Sequence, residues 1–379
     1  MASNILRSKA TVNLSNLEHN ISKIKELVSD TVSFMLVVKA NAYGLGAIEI
    51  SKYAENIDFV SYFGVATSEE AEVLRENGIK KPILILGYGL NRGYEEILGK
   101  DVSFCIFDYE SALELSNTAK KKNAVAKIHI KIDTGMSRIG FFNCREDLDI
   151  IEKICKLENI EAQGIFTHFA DADNEDRSYT LKQLEEFNTC IDELKERGIS
   201  FKIKHCSNSA GILQYPEANF NMVRSGCMAY GLVPSPVLKD KMKGFKPVMS
   251  LESTAVFVKE LKEDRPISYG GSYVAKKGSR IATVAIGYAD GYPRALSNKS
   301  YVLFKGKRCR VIGNVCMDQI LVDVTGIDDI RPKDSVILIG ESGNETITME
   351  ELAYLSNMIN YELICGIGDR VHREYVFLK

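Results

Sequence analysis

Several things are missing from this chain of 379 residues, and each absence removes a class of function. No apolar run reaches the roughly 20 residues that a membrane-spanning helix needs. The first residues, Met-Ala-Ser-Asn-Ile-Leu-Arg7, lack the apolar core of a secretory signal, so a cytoplasmic protein is expected. Basic blocks are absent as well: 48 Lys and Arg against 51 Asp and Glu leave a formal charge of −3. Nothing there attracts nucleic acid or an anionic membrane. The nine cysteines are scattered, with no Cys-x-x-Cys pair. Neither a disulfide framework nor a zinc site is expected, and a reducing compartment fits. The acidic run Asp171-Ala-Asp-Asn-Glu-Asp176 lacks histidine and rigid ligand spacing and reads as solvated surface, so no metal is expected.

What is present is a rhythm. Short apolar segments at 33–38, 62–66, 82–86, 102–107, 126–132, 163–168, 201–206 and 222–230 alternate with amphipathic patterns at 46–55, 68–77, 108–121, 146–157 and 179–197. Thr67-Ser-Glu-Glu and Asp108-Tyr-Glu-Ser supply helix caps, and Gly78 and Gly198 supply stops. Eight strands alternating with helices predict an α/β fold, a (β/α)8 TIM barrel over residues 11–240. From about Lys246 the helical patterns give way to short strands between turns, with one late helix from Thr348. A second, mostly β domain is therefore expected over 246–379, joined by an extended arm at 1–10. Pro234-Ser-Pro236 and Lys239–Gly244 read as the linker.

In a barrel the chemistry sits at the carboxyl ends of the strands. The first strand runs Ser33-Phe-Met-Leu-Val-Val and ends on Lys39, with Tyr43, Gly44 and Gly46 close behind. A lysine at the mouth of an apolar strand loses hydration, which favours the free amine. The fifth strand brings Lys131, Asp133 and Arg138 to the same rim, the sixth brings His168, and the eighth brings Arg224. Ser207-Asn-Ser209 and Ser225-Gly-Cys227 offer hydroxyls and unhindered N–H groups where phosphate often binds. A reactive lysine, a phosphate cradle and an arginine together suggest pyridoxal phosphate.

The motifs Val38-Lys-Ala-Asn-Ala-Tyr-Gly44, Lys131-Ile-Asp-Thr-Gly-Met-Ser-Arg138, Asn208-Ser209, Met222-Val-Arg-Ser-Gly226, Ser268-Tyr-Gly270, Gly287-Tyr-Ala-Asp-Gly291 and Cys316-Met-Asp-Gln319 carry a resemblance nearly end to end. The chain resembles the alanine racemases, pyridoxal-phosphate enzymes built of a barrel and a β domain. The resemblance implies that Lys39 carries the cofactor and acts as base on one face of the substrate. It implies Tyr269 of the partner subunit as base on the other face, and hence a homodimer with shared sites. Arg224 would face the pyridine nitrogen, and His168 would lie with the cofactor. Tyr43, Ser209, Gly226 and Cys227 would hold its phosphate. Arg138, Met317 and Asp318 would meet the substrate, and Lys131 matches a position carbamylated in some members. Tyr288 and Asp369 would stand at the entrance. A tyrosine acting as base needs nearby positive charge, for which His168 and Arg138 are the candidates.

The implied reaction interconverts L- and D-alanine and supplies D-alanine for peptidoglycan. Two departures bear on selectivity: many relatives carry tyrosine where this chain has Asp369, and His372 replaces a common proline. A serine racemase, or one of broader specificity, is the alternative. A barrel-type decarboxylase or dehydratase is disfavoured by Arg224 and Tyr269, and a non-catalytic cofactor carrier by the second domain.

Overall fold

The structure, a computed structural model, describes residues 6–88 and 94–377. Two compact units divide the chain. One comprises Glu18–Ala42 and Gly46–Lys246; the other comprises Tyr43–Leu45, the residues from Pro247 onward and the N-terminal segment through Leu17. The breaks thus fall after Leu17 and Lys246, where the sequence suggests 11 and 240. Within the segment read as the linker, Pro236–Met242 is a 3-10 helix that clusters with the first unit, with Leu238 and Met242 buried.

Strand β1 (Ser8–Asn13) belongs to the second unit. The barrel strands follow in order: β2 (Ser33–Val37), β3 (Val60–Val65), β4 (Ile83–Ile85), β5 (Val102–Ile106), β6 (Ala126–Lys131), β7 (Ile160–Phe166), β8 (Ile203–His205) and β9 (Met222–Ser225). Each pairs in parallel with its neighbour, and β9 pairs with β2. Closure between β8 and β9 uses loops and side chains. Arg224 N–H donates to the Ser207 carbonyl at 3.0 Å. The Asn221 amide spans the gap, accepting from Lys204 N–H at 2.8 Å and donating to the Lys202 carbonyl at 2.6 Å. The strands are nearly continuous apolar runs because helices cover their outer face. Inside, Met35, Tyr62, Leu84 and Met222, one from each of four strands, form a packed layer. The eighth strand ends at Ser225, five residues earlier than expected, since Ser225-Gly-Cys227 turns away from the sheet.

The second unit is built on β10 (Met249–Glu260), which pairs with β1 on one edge and carries β13 (Arg280–Val284) and β17 (Ser335–Ser342). Residues 1–5 of the expected arm lie outside the described residues; from Ser8 the arm is a sheet strand. It lies antiparallel to β10 and parallel to β19 (His372–Val376). A hairpin of β11 (Arg265–Ile267) and β12 (Tyr273–Ala275) holds Tyr269 at its tip. No described helix is long and apolar enough to cross a membrane.

Candidate active site

Lys39 stands two residues beyond Val37, the buried end of β2. Val38 N–H bonds the Gly64 carbonyl at 2.8 Å, and the Tyr230 hydroxyl donates to the Val37 carbonyl at 2.8 Å. The chain then does something L-residues avoid. Ala40, Asn41, Ala42 and Tyr43 have φ of 51°, 54°, 52° and 54°, a full left-handed turn with no glycine in it. Such a turn costs about 1–2 kcal/mol per residue. It follows directly on the lysine, where strain is expected at a functional site.

Arg224, on β9, is buried, and no carboxylate among the described residues pairs with it. Its Nη1 donates to His205 Nδ1 at 2.7 Å. Its Nη2 donates to the carbonyls of Thr167 and Cys206 and to His168 Nδ1, all at 3.0–3.1 Å. Guanidinium nitrogens only donate, so both imidazoles accept through Nδ1 and carry their hydrogen on Nε2. His205 Nε2 then donates to His129 Nδ1 at 2.9 Å. Burial, then the Arg224 charge, pushes His129 down to about 3 and His205 well below the usual imidazole range. His168 is held low for the same two reasons, with smaller contributions from Arg138, Lys131 and Lys39. Burial also lowers Arg224, to about 10, which leaves it charged at neutral pH. His168 is therefore neutral, and of the two candidate cations only Arg138 supplies positive charge. The expectation for His168 as a cation is corrected on that ground.

His129 reaches this position because β7 yields to it. A Cβ on Gly164 would stand 2.4 Å from His129 Nδ1. His129 and Lys131 are two apart on β6 and share its inner face, a period-2 signal readable in Lys127-Ile-His-Ile-Lys131. Lys131 is buried and donates to the carbonyls of Ile132 (2.6 Å) and Ile139 (3.3 Å), with its ammonium over the Phe166 ring. Burial lowers it to about 8. The Asp133 carboxylate accepts N–H groups of Gly135, Ser137 and Arg138, shaping the loop that carries exposed Arg138. Burial opposes its charge, but those N–H groups and Lys131 hold its carboxyl below the usual range.

At the ends of the last two strands, the hydroxyls of Ser209, four residues past β8, and Ser225, the last residue of β9, lie 3.0 Å apart beside Gly226 and buried Cys227. Ser207 Oγ is buried without a partner among the described residues. Asn208 caps the short helix Ser209–Gln214, its Oδ1 accepting Gly211 N–H at 2.9 Å. Lys39, Lys131, Arg138, His168, Ser209, Arg224, Gly226 and Cys227 thus all belong to the barrel unit.

Tyr43, Tyr269, Tyr288, Met317, Asp318 and Asp369 belong to the second unit. There the Tyr269 side chain is 73% exposed while its backbone is clamped. Asn314 Nδ2 donates to the Tyr269 carbonyl at 2.6 Å, and Ser268 Oγ donates to the Asn314 carbonyl at 2.5 Å. Gly287 has backbone so close that a Cβ would stand 2.3 Å from the Cys316 carbonyl oxygen. Tyr288 and Ala289 N–H groups bond the Cys316 and Met317 carbonyls at 3.0 Å. The Gly287–Gly291 and Cys316–Gln319 motifs are therefore one structural piece, and Tyr288 and Met317 stand exposed on it. Asp318 pairs with Arg370 at 2.7 Å, and Asp369 is exposed. Sequence reasoning missed His129 and His205 as site residues, while Ser207 and Ser225 already stood in the expected phosphate loops; the inner-face spacing on β6 was the available signal for His129.

Residues 12–234 match the family profile described as alanine racemase, N-terminal domain, and residues 248–375 match the C-terminal domain. The chain belongs to the alanine racemase family. An alanine racemase of Methanococcus maripaludis is 43% identical over 368 residues, 97% of this chain and 98% of that one. The alanine racemase of Clostridium difficile 630 superposes with a TM-score of 0.93 at 40% identity, covering 98% and 96% of the two chains. That of Bartonella henselae, solved with covalently bound pyridoxal phosphate, gives a TM-score of 0.86 at 28% identity, covering 98% and 99%. Membership makes this protein an amino-acid racemase, and the barrel with its β companion is the family's architecture.

Proposed function

We propose that this protein interconverts L- and D-alanine with pyridoxal 5'-phosphate as its cofactor, in a homodimer whose sites are shared. The observation that carries the reading is Arg224, a buried guanidinium among neutral imidazoles. Its Nε and the second hydrogen of Nη1 take no partner among the described residues, which leaves donors for a ring nitrogen. The orphaned Ser207 hydroxyl and the Ser209–Ser225 pair suit a phosphate. The residues present therefore fit the group: Lys39 to attach it, Arg224 at its ring nitrogen with His168 alongside, and Ser209, Gly226, Cys227 and Tyr43 at its phosphate. When bound, the cofactor supplies an electron-withdrawing ring that acidifies the substrate α-carbon.

Racemisation removes the α-proton on one face and returns a proton on the other, which requires two opposed acid–base groups. Lys39 Nζ serves one face and the Tyr269 hydroxyl of the partner subunit serves the other. Arg224 stays charged and cannot give its proton away, so the ring nitrogen remains unprotonated and charge build-up is only weakly stabilised. Plain proton exchange is then favoured over decarboxylation or transamination. Arg138 and Met317 meet the substrate carboxylate, with Asp318 close by. The lowered Lys131 supports a free amine fraction that carbon dioxide can trap as a carbamate, an anion suited to the positive charge of Arg138 and Arg224. D-Alanine made in the cytoplasm would feed peptidoglycan precursors.

The test is a chiral assay of purified protein against a panel of L-amino acids, with borohydride trapping. Alanine should racemise fastest, and the trapped cofactor should map to Lys39. Tyr269→Ala should impair α-proton exchange in one stereochemical direction more than in the other. Equal, mild losses in both directions, or native protein without cofactor, would overturn the reading.

A further inference from the structure

The left-handed turn after Lys39 needs anchors outside itself. Within the barrel unit three are backbone or local. Ala42 N–H donates to the Val38 carbonyl at 2.8 Å, Gly46 N–H to the Asn41 carbonyl at 2.9 Å, and Ala47 N–H to Asn41 Oδ1 at 2.8 Å. The fourth comes from a different element. Glu70, on the helix Ser68–Glu76, accepts Ala40 N–H through Oε1 at 2.6 Å and Ala66 N–H through Oε2 at 2.7 Å. Both bonds are charge-assisted and short, the stronger kind of hydrogen bond. The helix is itself fixed at that end, since Glu70 N–H donates to the capping Thr67 Oγ1 at 3.3 Å.

The geometry of a peptide gives this contact its meaning. Ala40 N–H belongs to the planar unit that also contains the Lys39 carbonyl. Holding that N–H fixes the peptide plane after the Lys39 Cα, and the Val38 N–H bond to the Gly64 carbonyl restrains the chain before it; together they limit φ and ψ at Lys39 and so the direction of its Cα–Cβ bond. Ala66 follows the last residue of β3, the strand paired with β2. One carboxylate thus ties together the exits of two neighbouring barrel strands at the point where the lysine emerges. Lys39 is near enough to His168 for its charge to depress that imidazole, so the lysine directed by this plane shares a rim with the Arg224 cluster.

We propose that Glu70 is a positioning residue for the racemase reaction. It fixes the Lys39–Ala40 peptide and so aims the Lys39 amine, without itself meeting substrate or cofactor. This rests on the reading of Lys39 as the cofactor-bearing base. A misplacement of about 1 Å at a reacting group costs on the order of a hundredfold in rate, which sets the expected scale.

The experiment compares wild type, Glu70→Ala and Glu70→Gln as holoenzymes. It measures borohydride trapping of pyridoxal phosphate on the Lys39 peptide, the rate of cofactor release, kcat and KM for alanine, and the denaturant midpoint. Glu70→Ala should release cofactor about tenfold faster or more, trap it more slowly at Lys39, and lose kcat by about a hundredfold with a smaller change in KM. Glu70→Gln keeps one acceptor oxygen and should fall between the two. Wild-type trapping and kcat in Glu70→Ala overturn the role of Glu70, even where the denaturant midpoint drops, because a purely structural carboxylate predicts that pattern. If Glu70→Ala fails to fold, Glu70→Gln decides: an intermediate loss supports the role and unchanged trapping overturns it. Absence of trapping at Lys39 in the wild type overturns the reading of Lys39 itself, and the Glu70 role with it.

Discussion

Arg224 Nη1 lies 2.7 Å from His205 Nδ1, and that one contact dictates the protonation of two histidines. With Nδ1 accepting, His205 carries its hydrogen on Nε2 and donates it to His129 Nδ1. His129 is left with its hydrogen on Nε2, and a side-chain contact with Gln163 only partly offsets the burial and the Arg224 charge that keep the ring neutral. The line is neutral from end to end, and the only charge in it is the arginine. A buried cation is costly unless its hydrogen bonds are satisfied. Here neutral acceptors take up Nη2 and one hydrogen of Nη1 without offering a carboxylate to receive a proton, and the remaining donors are left for a ligand.

Acid should destabilise the protein before its carboxylates protonate. His129 and His205 titrate well below the ~6.5 of an unfolded imidazole, so the unfolded state binds more protons once the pH falls below about 6.5. Their contribution is fully present above that pH and is lost progressively toward the folded pKa, which is about 3 for His129. Each can contribute up to about 1.4 kcal/mol per pH unit in that window. Denaturant titrations at pH 7, 6 and 5 should show falling stability, with a shallower slope in His129→Gln. A flat profile from pH 7 to 5 would refute the neutral line.

Gly164→Ala places a Cβ 2.4 Å from His129 Nδ1, in a core with no room to move. Overpacking of this kind costs about 1–3 kcal/mol. His129→Ala should cost stability alone but recover part of the loss when combined with Gly164→Ala. A double-mutant cycle by urea denaturation measures that coupling, and strictly additive losses would count against the contact.

Asp290 is fully buried and receives both Arg7 terminal nitrogens, at 2.5 and 2.8 Å, as well as Gly287 N–H at 2.8 Å. Removing one partner of a buried pair is more damaging than replacing both. Arg7→Met should therefore destabilise by about 2–4 kcal/mol, and Asp290→Asn in the same chain should recover part of it. Arg370, 3.3 Å from Asp290, retains some of the pairing and sets the lower end of that range. The exposed Arg370–Asp318 pair should contribute under about 1 kcal/mol. Thermal denaturation of Arg7→Met, of the Arg7→Met/Asp290→Asn double variant and of Asp318→Ala ranks these effects.

The resemblance implies Asp369 at the entrance, where it would bear on selectivity. It is exposed, and an ionised carboxylate only accepts hydrogen bonds. Asp369→Tyr should raise the ratio of kcat/KM for alanine over serine severalfold, within the roughly hundredfold that a small pocket can exert on one hydroxyl. Competition assays with both substrates check this, and an unchanged ratio removes Asp369 from the gate.

Much of this molecule is legible in the order of its residues. Alternation of apolar segments and capped helices determines a parallel barrel, because buried strands must be apolar on both faces and each crossover needs a helix. The β2, β5, β6 and β9 spans come within a residue or two, apart from the overlong end given to the eighth strand. Lys39, Arg224, Ser209 and Tyr269 stand out because their motifs are local. Other features depend on residues far apart in the chain. His129 and His205 are 76 positions apart, and only barrel closure decides that their rings meet, which nitrogen bears hydrogen, and that both stay neutral. Arg7 and Asp290 are 283 apart. Glu70 reads as an ordinary first-turn helix acid until the left-handed turn after Lys39 brings Ala40 N–H to its carboxylate. Sequence determined which groups are available at the rim; tertiary structure decided their charge, tautomer and direction, because burial and pairing belong to side chains that meet only in the folded chain.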